Sequence, residues 1–370
     1  MILTQSPSKT IILTAGGTGG HLFPAISTSH MLIKMGHKVI LFSDKRAKNY
    51  FNEEDMRLIT ISSATPSGGG FVSKIKSLFT IFYGVIESYI HFYKLKPDVI
   101  IGFGGYPTFP PIIAAKLAAI PIILHDQNMI LGRANRVLLR FAKAIAVVHE
   151  RVAAVPSGHE YKLHVTGNPL RENVLVAAQK SYPILDDESD IHLLIFGGSQ
   201  GARILSNIVP SVITSLSSAL QKRLKITQQA RPEDVEKVKD IYQKAGIHAD
   251  IASFFQDLPE KIAQSHLVIA RSGAITVSEL AAIGRPAIFI PLAASLDGDQ
   301  AVNAHILTEV NAAWVVKENE LEQDEFAHMI TSLFQNKERL IHAAYMAKSK
   351  GIQDGAERLA TLALRLDVDI

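Results

Sequence analysis

Short aliphatic runs, each followed by a longer segment of helical period, recur along the 370-residue chain. IILTA (11–15), KVILF (38–42), DVIIG (98–102), PIILH (121–125), AIAVV (144–148) and LHVTG (163–167) alternate with helical stretches, one reaching about Met35, one running through Ala119 and one near 133–142. Strands that all run one way need a crossover between each pair, so this alternation predicts an open α/β fold with parallel sheets. Residues 181–190, SYPILDDESD, interrupt the pattern with a proline and a cluster of acids. It then resumes with IHLLIF (191–196), LKITQQ (224–229), ADIASF (249–254), HLVIA (266–270), PAIFIP (286–291) and AWVV (313–316). The expected layout is a first domain over 1–167, a linker over 168–190 and a second domain over 191–352. From about Asp324 onward the chain reads as successive amphipathic helices. The last, about 353–370 with Leu359, Leu362, Leu364 and Leu366 as apolar positions, is expected to pack back on the first domain.

A chain this long usually exceeds one hydrophobic core, and its 47% apolar content suffices for two. A formal charge of +3 without any long basic run does not suggest a nucleic-acid binder. The absence of cysteine excludes disulfides, thiolate nucleophiles and Cys-ligated zinc. The N-terminus, MILTQSPSKTIILTAGG, has too short an apolar run for a secretory signal, so the mature protein is expected to begin there. The longest apolar stretch, residues 110–124, is broken by Lys116 and Pro121, and no membrane-spanning helix is expected.

In open parallel sheets ligands bind beyond the carboxyl ends of the strands, which directs attention to glycines that follow a strand. Three loops qualify: GGTGGH (Gly16 to His21), GFGGYP (Gly102 to Pro107) and GGSQGAR (Gly197 to Arg203). Glycine lets the backbone approach a phosphate, and the amides at the start of the next helix then attract the anion. Tight strand-to-helix turns favour glycine for their own reasons, so the weight lies in having three. No Gly-Lys-Ser/Thr triplet occurs, which excludes a standard P-loop. The dinucleotide fingerprint also fails, because Leu22 and Pro107 stand where its third glycine belongs. In the second half, Ser272, Gly273 and Ala274 open a helix that carries Glu279, either a ribose-binding carboxylate or a solvated helix residue. Asp297 and Asp299 lack the further carboxylates of a metal site, and no metal is expected.

Taken in order, GGTGGH, GFGGYP, HDQN (125–128), GNPLR (167–171), GGSQGAR, RSGAITVSEL and DGDQAVNA resemble the motifs of the MurG-type transferases of glycosyltransferase family 28, which convert lipid I to lipid II. The match spans nearly the whole chain. The resemblance implies a GT-B fold, with two Rossmann-like domains whose parallel sheets face each other across a cleft. Its N-terminal domain would receive the undecaprenyl-linked muramyl-pentapeptide and its C-terminal domain UDP-N-acetylglucosamine. Carried over by position, Ser199 with Gln200 would face the donor diphosphate, and Arg171 would stand near the phosphates or uridine. Glu279 would hold the ribose, and the backbone near Phe255 would read the uracil. Ala274, Asn128 and Gln300 would bond sugar hydroxyls, while Thr18, Gly19, Gly20 and Tyr106 would border acceptor and transferred sugar. Where the family usually has His-Glu-Gln-Asn this chain has HDQN, so the Asp126 carboxylate is one methylene shorter. Phe255 replaces an aliphatic residue common in relatives, and the loop 62–71 lacks the expected basic residues.

The implied reaction is inverting: the 4-hydroxyl of the muramyl sugar attacks the anomeric carbon and UDP leaves from the opposite face. His21 is the first candidate for the base and Asp126 the second, the alternative for His21 being a histidine that only caps its loop. Glycine-loop amides and Arg171 would neutralise the leaving diphosphate, so neither a cofactor nor a metal is expected. A lipid-anchored acceptor implies a peripheral protein on the cytoplasmic face of the bacterial inner membrane, serving peptidoglycan synthesis and through it cell shape and division. Ile75, Leu78, Phe79 and Phe82 recur at helical spacing beside Lys74 and Lys76, which fits either an anionic membrane surface or a core-facing helix. Two rival functions remain at this point: another lipid glycosyltransferase of the same fold, such as one acting on diacylglycerol, and a non-catalytic UDP-sugar-binding scaffold at the membrane.

Overall fold

The structure, a computed structural model, describes residues 7–50, 56–65, 70–198 and 201–365. It divides into two compact units, one of residues 1–171 with 354–370 and one of residues 172–353.

The first unit runs β1 (Thr10–Thr14), α1 (Gly19–Lys34), β2 (Lys38–Ser43), β3 (Arg57–Thr60), α2 (Phe71–Leu95), β4 (Val99–Gly102), α3 (Phe109–Leu117), β5 (Ile122–His125), α4 (Arg133–Leu138), β6 (Ala144–Val147) and β7 (Leu163–Val165). Its seven strands lie in the order β3-β2-β1-β4-β5-β6-β7, and every pairing is parallel. The strands are nearly continuous aliphatic runs because helices cover both faces. Ile12, Ile40 and Ile100 belong to one apolar layer, and Ile11, Leu13 and Leu41 to the other. The edge strand β3, RLIT, was not expected from the sequence. It is four residues long, with Arg57 and Thr60 exposed, and so lacks the aliphatic run that marks its neighbours.

The second unit runs α5 (Glu172–Ala177), β8 (Ile191–Phe196), α6 (Arg203–Ser215), α7 (Ser218–Arg223), β9 (Leu224–Gln229), α8 (Val235–Lys244), β10 (Ala249–Ala252), α9 (Leu258–Gln264), β11 (Leu267–Ala270), α10 (Ala274–Ile283), β12 (Ala287–Phe289), α11 (Asp299–Thr308), β13 (Ala313–Val315), α12 (Gln323–Gln335) and α13 (Lys337–Ser349). Its sheet is six-stranded in the order β10-β9-β8-β11-β12-β13, again wholly parallel. The run ADIASF stops being strand at Ala252, and Phe254 beyond it is 63% exposed. The closing helix α14 (Gly355–Arg365) belongs to the first unit, where Leu359, Ala360 and Ala363 are buried in the same layer as Ile11 and Leu13. Gly355 permits that contact, since a methyl there would lie 2.7 Å from the Asn168 carbonyl oxygen.

Both sheets share one consequence of strand order. Each reverses direction once, between β1 and β4 in the first unit and between β8 and β11 in the second. At such a switch point neighbouring crossovers leave in opposite directions and a crevice opens above the strand ends. The loops that border the two crevices are GGTGGH and GFGGYP in one unit, and the turn at Gly197 and Gly198 with RSGA in the other.

Candidate active site

In the first unit the two glycine loops are joined directly: Gly16 N donates to Gly104 O at 3.1 Å, and Thr108 Oγ1 donates to the same oxygen at 2.7 Å. The His21 imidazole, from the first turn of α1, fills the space their missing side chains leave. Methyls on Gly16, Gly104 or Gly105 would stand 3.3 to 3.4 Å from its ring atoms, and Gly104 and Gly105 also have φ of 86° and 78°. Glycine is needed here for both room and backbone conformation. His21 Nδ1 donates to the Phe103 carbonyl oxygen at 2.9 Å. Burial pushes its pKa below 6.5 and outweighs the opposing charge of Asp126, so the ring is neutral at neutral pH.

Asp126 is buried at 2% exposure. Its Oδ1 accepts from the Asn128 backbone N–H at 3.1 Å, and its Oδ2 from Gly132 N at 2.7 Å and Asn135 Nδ2 at 2.9 Å. Burial raises its pKa against these bonds. In this geometry the carboxylate shapes the loop 126–132 and supplies a negative charge near His21. Asn135 Nδ2 also donates to the His125 carbonyl at 3.0 Å, and Gln127 Nε2 to Phe103 O at 2.8 Å. Neither Gln127 nor Asn135 was singled out from the sequence. Gln127 lay in plain view within HDQN, whereas Asn135 had no signal. Thr18 and Gly20 are exposed, Tyr106 is 38% exposed, and Gly19 is buried at the start of α1. The Arg171 guanidinium stacks 4.8 Å over the Phe23 ring.

His125 is wholly buried against Phe103 and its pKa is pushed down to about 4 by burial. The unfolded chain takes up this proton near pH 6.5 and the folded chain only near 4, so the unfolded state binds more protons in between. Stability from this group is full above pH 6.5, falls through that window and is gone by about pH 4, a loss of roughly 3 kcal/mol. Chemical denaturation of the wild type and His125→Gln across pH 4 to 7, read as a flatter dependence in the variant, checks this.

In the second unit the amide of Gly197, just past β8, donates to Gln229 Oε1 at 3.0 Å, while Gln229 Nε2 donates to Ser253 O at 3.2 Å. Gly198 and Gly201 take φ of 82° and 66°, and α6 begins at Arg203. Ser199 and Gln200 lie outside the described residues. Across the switch point, Arg271 is buried after β11, donates to Ile290 O at 2.8 Å and pairs with Glu318. Ser272 Oγ donates to Gln300 O at 2.8 Å, and Gln300 Oε1 accepts from Leu292 N at 3.0 Å. These bonds tie the loop after β11 to the loop after β12 and the start of α11. They also fix the Gln300 amide with its NH₂ end as the group it offers. Ala274 opens α10, and Glu279 on the same helix is 4% exposed, so it is not the solvated helix residue that the sequence allowed. Phe255 is half-buried, with Lys261 Nζ 4.8 Å above its ring. Among the described residues no group of three or more His, Asp or Glu is placed to hold a metal.

On α2, Ile75, Leu78, Phe79 and Phe82 are 41%, 68%, 70% and 63% exposed, which removes the core-facing alternative for these four. The helix instead turns Gly84, Ser88 and Phe92 inward. A methyl on Gly84 would overlap the Ser62 carbonyl, and Glu87 accepts from Ser62 N at 2.9 Å. No helix among the described residues is long and apolar enough to cross a membrane.

Two family models match the chain: the glycosyltransferase family 28 N-terminal domain over residues 11–147 and the C-terminal domain over 192–359. The chain is 45% identical over 356 residues to the UDP-N-acetylglucosamine–N-acetylmuramyl-(pentapeptide) pyrophosphoryl-undecaprenol N-acetylglucosamine transferase of Methylorubrum populi, covering 95% of this chain and 96% of that one. It is 44% identical to the protein of the same name from Bradyrhizobium diazoefficiens, over 97% and 98% of the two chains. Among solved structures it resembles Acinetobacter baumannii MurG with a TM-score of 0.79 at 24% identity, covering 97% and 100%. It also resembles the UDP-GlcNAc 2-epimerase of Neisseria meningitidis bound to UDP-GlcNAc, with a TM-score of 0.67 at 13% identity over 96% and 100%.

Proposed function

The chain belongs to glycosyltransferase family 28, and we propose that it transfers N-acetylglucosamine from UDP to the 4-hydroxyl of the muramyl sugar of lipid I, giving lipid II for peptidoglycan synthesis. What carries the reading is the placement of the family's glycine motifs at the switch points of both sheets, with His21 seated among the glycines of the first. The first unit supplies the acceptor side and the base. His21, neutral at neutral pH, takes the proton of the attacking hydroxyl, with Thr18, Gly19, Gly20 and Tyr106 bordering the acceptor. The second unit holds the donor: Ser199, Gln200 and the amides around Gly197 at the diphosphate, Glu279 at the ribose, the backbone at Phe255 at the uracil, and Ala274 and Gln300 at the sugar hydroxyls. Asn128 bonds the transferred sugar and Arg171 offsets phosphate charge. Those amides and that guanidinium stabilise the departing diphosphate without a metal.

Incubation with radiolabelled UDP-N-acetylglucosamine and a lipid I analogue is expected to yield a β-linked disaccharide lipid. No product from lipid I, with transfer to diacylglycerol instead, would replace the reading by the rival lipid glycosyltransferase; binding of the nucleotide sugar with no transfer at all would leave a scaffold.

The outward face of α2 carries the membrane contact, on the cytoplasmic side of the inner membrane where this acceptor would be met. Four exposed apolar residues at helical spacing beside Lys74 and Lys76 suit an anionic bilayer surface. Since each apolar side chain withdrawn from water contributes on the order of 1.5 to 3 kcal/mol, Ile75→Glu with Phe79→Glu is expected to lower vesicle affinity at least 100-fold. Co-sedimentation with anionic vesicles reads this, with thermal unfolding as the control for folding.

A further inference from the structure

We propose that Gln127 is a positioning residue for His21: it holds the Phe103 carbonyl so that the imidazole keeps its proton on Nδ1 and leaves Nε2 bare to take the proton of the acceptor hydroxyl. The proposal rests on His21 acting as the base. The Phe103 oxygen, one residue beyond β4, receives two donors, His21 Nδ1 at 2.9 Å and Gln127 Nε2 at 2.8 Å. A carbonyl oxygen only accepts, and it has two lone pairs, so both are taken. It follows that the neutral ring is the Nδ1–H tautomer and that the Gln127 amide presents its nitrogen here, an orientation the bonding itself decides.

One carbonyl thereby gathers three segments that follow neighbouring strands: His21 from the first turn of α1 after β1, Phe103 from the loop after β4 and Gln127 from the loop after β5. Gln127 is 4% exposed and is itself fixed from both sides. Its backbone oxygen accepts from Asn168 Nδ2 at 3.2 Å, and the preceding Asp126 is bound by Gly132 and Asn135. The Gln127 amide beside the imidazole also favours its protonated form. The bond matters because the two tautomers of a neutral imidazole are close in energy, and only one leaves a lone pair on Nε2. With the proton on Nε2 the ring would offer a donor where it must take a proton, and the base would be idle. Gln127 therefore sets the fraction of enzyme that is ready to react, without touching either substrate.

The test uses the full-length protein with ¹⁵N-labelled histidine, the His21 signals being assigned by their loss in His21→Ala. At pH 8 the wild type is expected to show a protonated Nδ1 and an unprotonated Nε2. Gln127→Met, close in volume and without donors, should give mixed tautomers and lower kcat by about 10-fold. KM for UDP-N-acetylglucosamine should stay within about 2-fold, because apart from Asn128 and Arg171 the residues assigned to the donor lie in the other unit. The acidic limb of kcat/KM should move to lower pH, since an amide favouring charged His21 is gone. A merely structural role would lower the folded fraction and leave both tautomer and limb in place. An Nε2–H tautomer in the wild type overturns the proposal, and so does a Gln127→Met protein whose tautomer is unchanged, whatever its turnover. Normal turnover in His21→Ala would instead overturn the assignment of the base, a separate failure that the wild-type tautomer does not report.

Discussion

His21→Ala is expected to lower kcat by about 10²- to 10⁴-fold, the span that a positioned general base typically supplies. In barrier terms this is roughly 3 to 5.5 kcal/mol. The affinity for UDP should change little, because of the residues assigned to the donor only Asn128 and Arg171 share a unit with His21. The pH dependence gives the sharper reading. The base works only when neutral, and burial places its pKa below 6.5, so wild-type kcat/KM should hold through neutral pH and fall as pH drops through that lowered value. That acidic limb should be absent in His21→Ala. Asp126 does not reproduce this behaviour in the variant, since its oxygens are occupied by Asn128, Gly132 and Asn135 and it lies buried behind the loop they form. Turnover of His21→Ala equal to the wild type at pH 7 would leave His21 as a loop-capping residue.

The glycine loops were legible because their residues are the message: four glycines in GGTGGH and the strand before them declare a tight turn into a helix wherever they stand. What the residues of a loop touch is another matter. The Phe103 carbonyl that both His21 and Gln127 bond is a backbone atom, the same in every residue type, and nothing in the letters reveals which donors will converge on it. Asn135 reaches Asp126 from nine positions away for the same reason. Strand order is similarly silent. The alternation predicts parallel strands but not that β1 lies between β2 and β4, and it is this neighbourhood that places GGTGGH beside GFGGYP. Exposure on α2 could not be decided from spacing, because an apolar stripe looks alike whether it faces a core or a membrane; Gly84 against Ser62 decides which side is inward.

The motif after β8 permits a second large effect to be isolated from the first. Gly197→Ala is expected to abolish measurable UDP uptake by calorimetry while the vesicle affinity of α2, on the other unit, stays at the wild-type level. A methyl on Gly197 would overlap the backbone nitrogen of Ala202 and come within 2.6 Å of its Cβ, so the clash is with main chain and cannot be relieved by a rotamer. The loop must open, and with it go the Gly197 bond to Gln229 and the entry into α6. Overpacking of this kind costs about 1 to 3 kcal/mol of stability, which a domain of this size survives. Loss of one or two amide bonds to a diphosphate at about 1.5 to 3 kcal/mol each translates to on the order of 10²-fold or more in affinity. Gly198→Ala is the matched control: among the described residues no atom beyond its chain neighbours lies within 4 Å of its added methyl, so chiefly the strain of holding φ at 82° remains, and UDP binding should weaken far less. Wild-type affinity in Gly197→Ala would mean that the diphosphate is not gripped by this turn, and the donor assignment would have to move to the loops after β11 and β12.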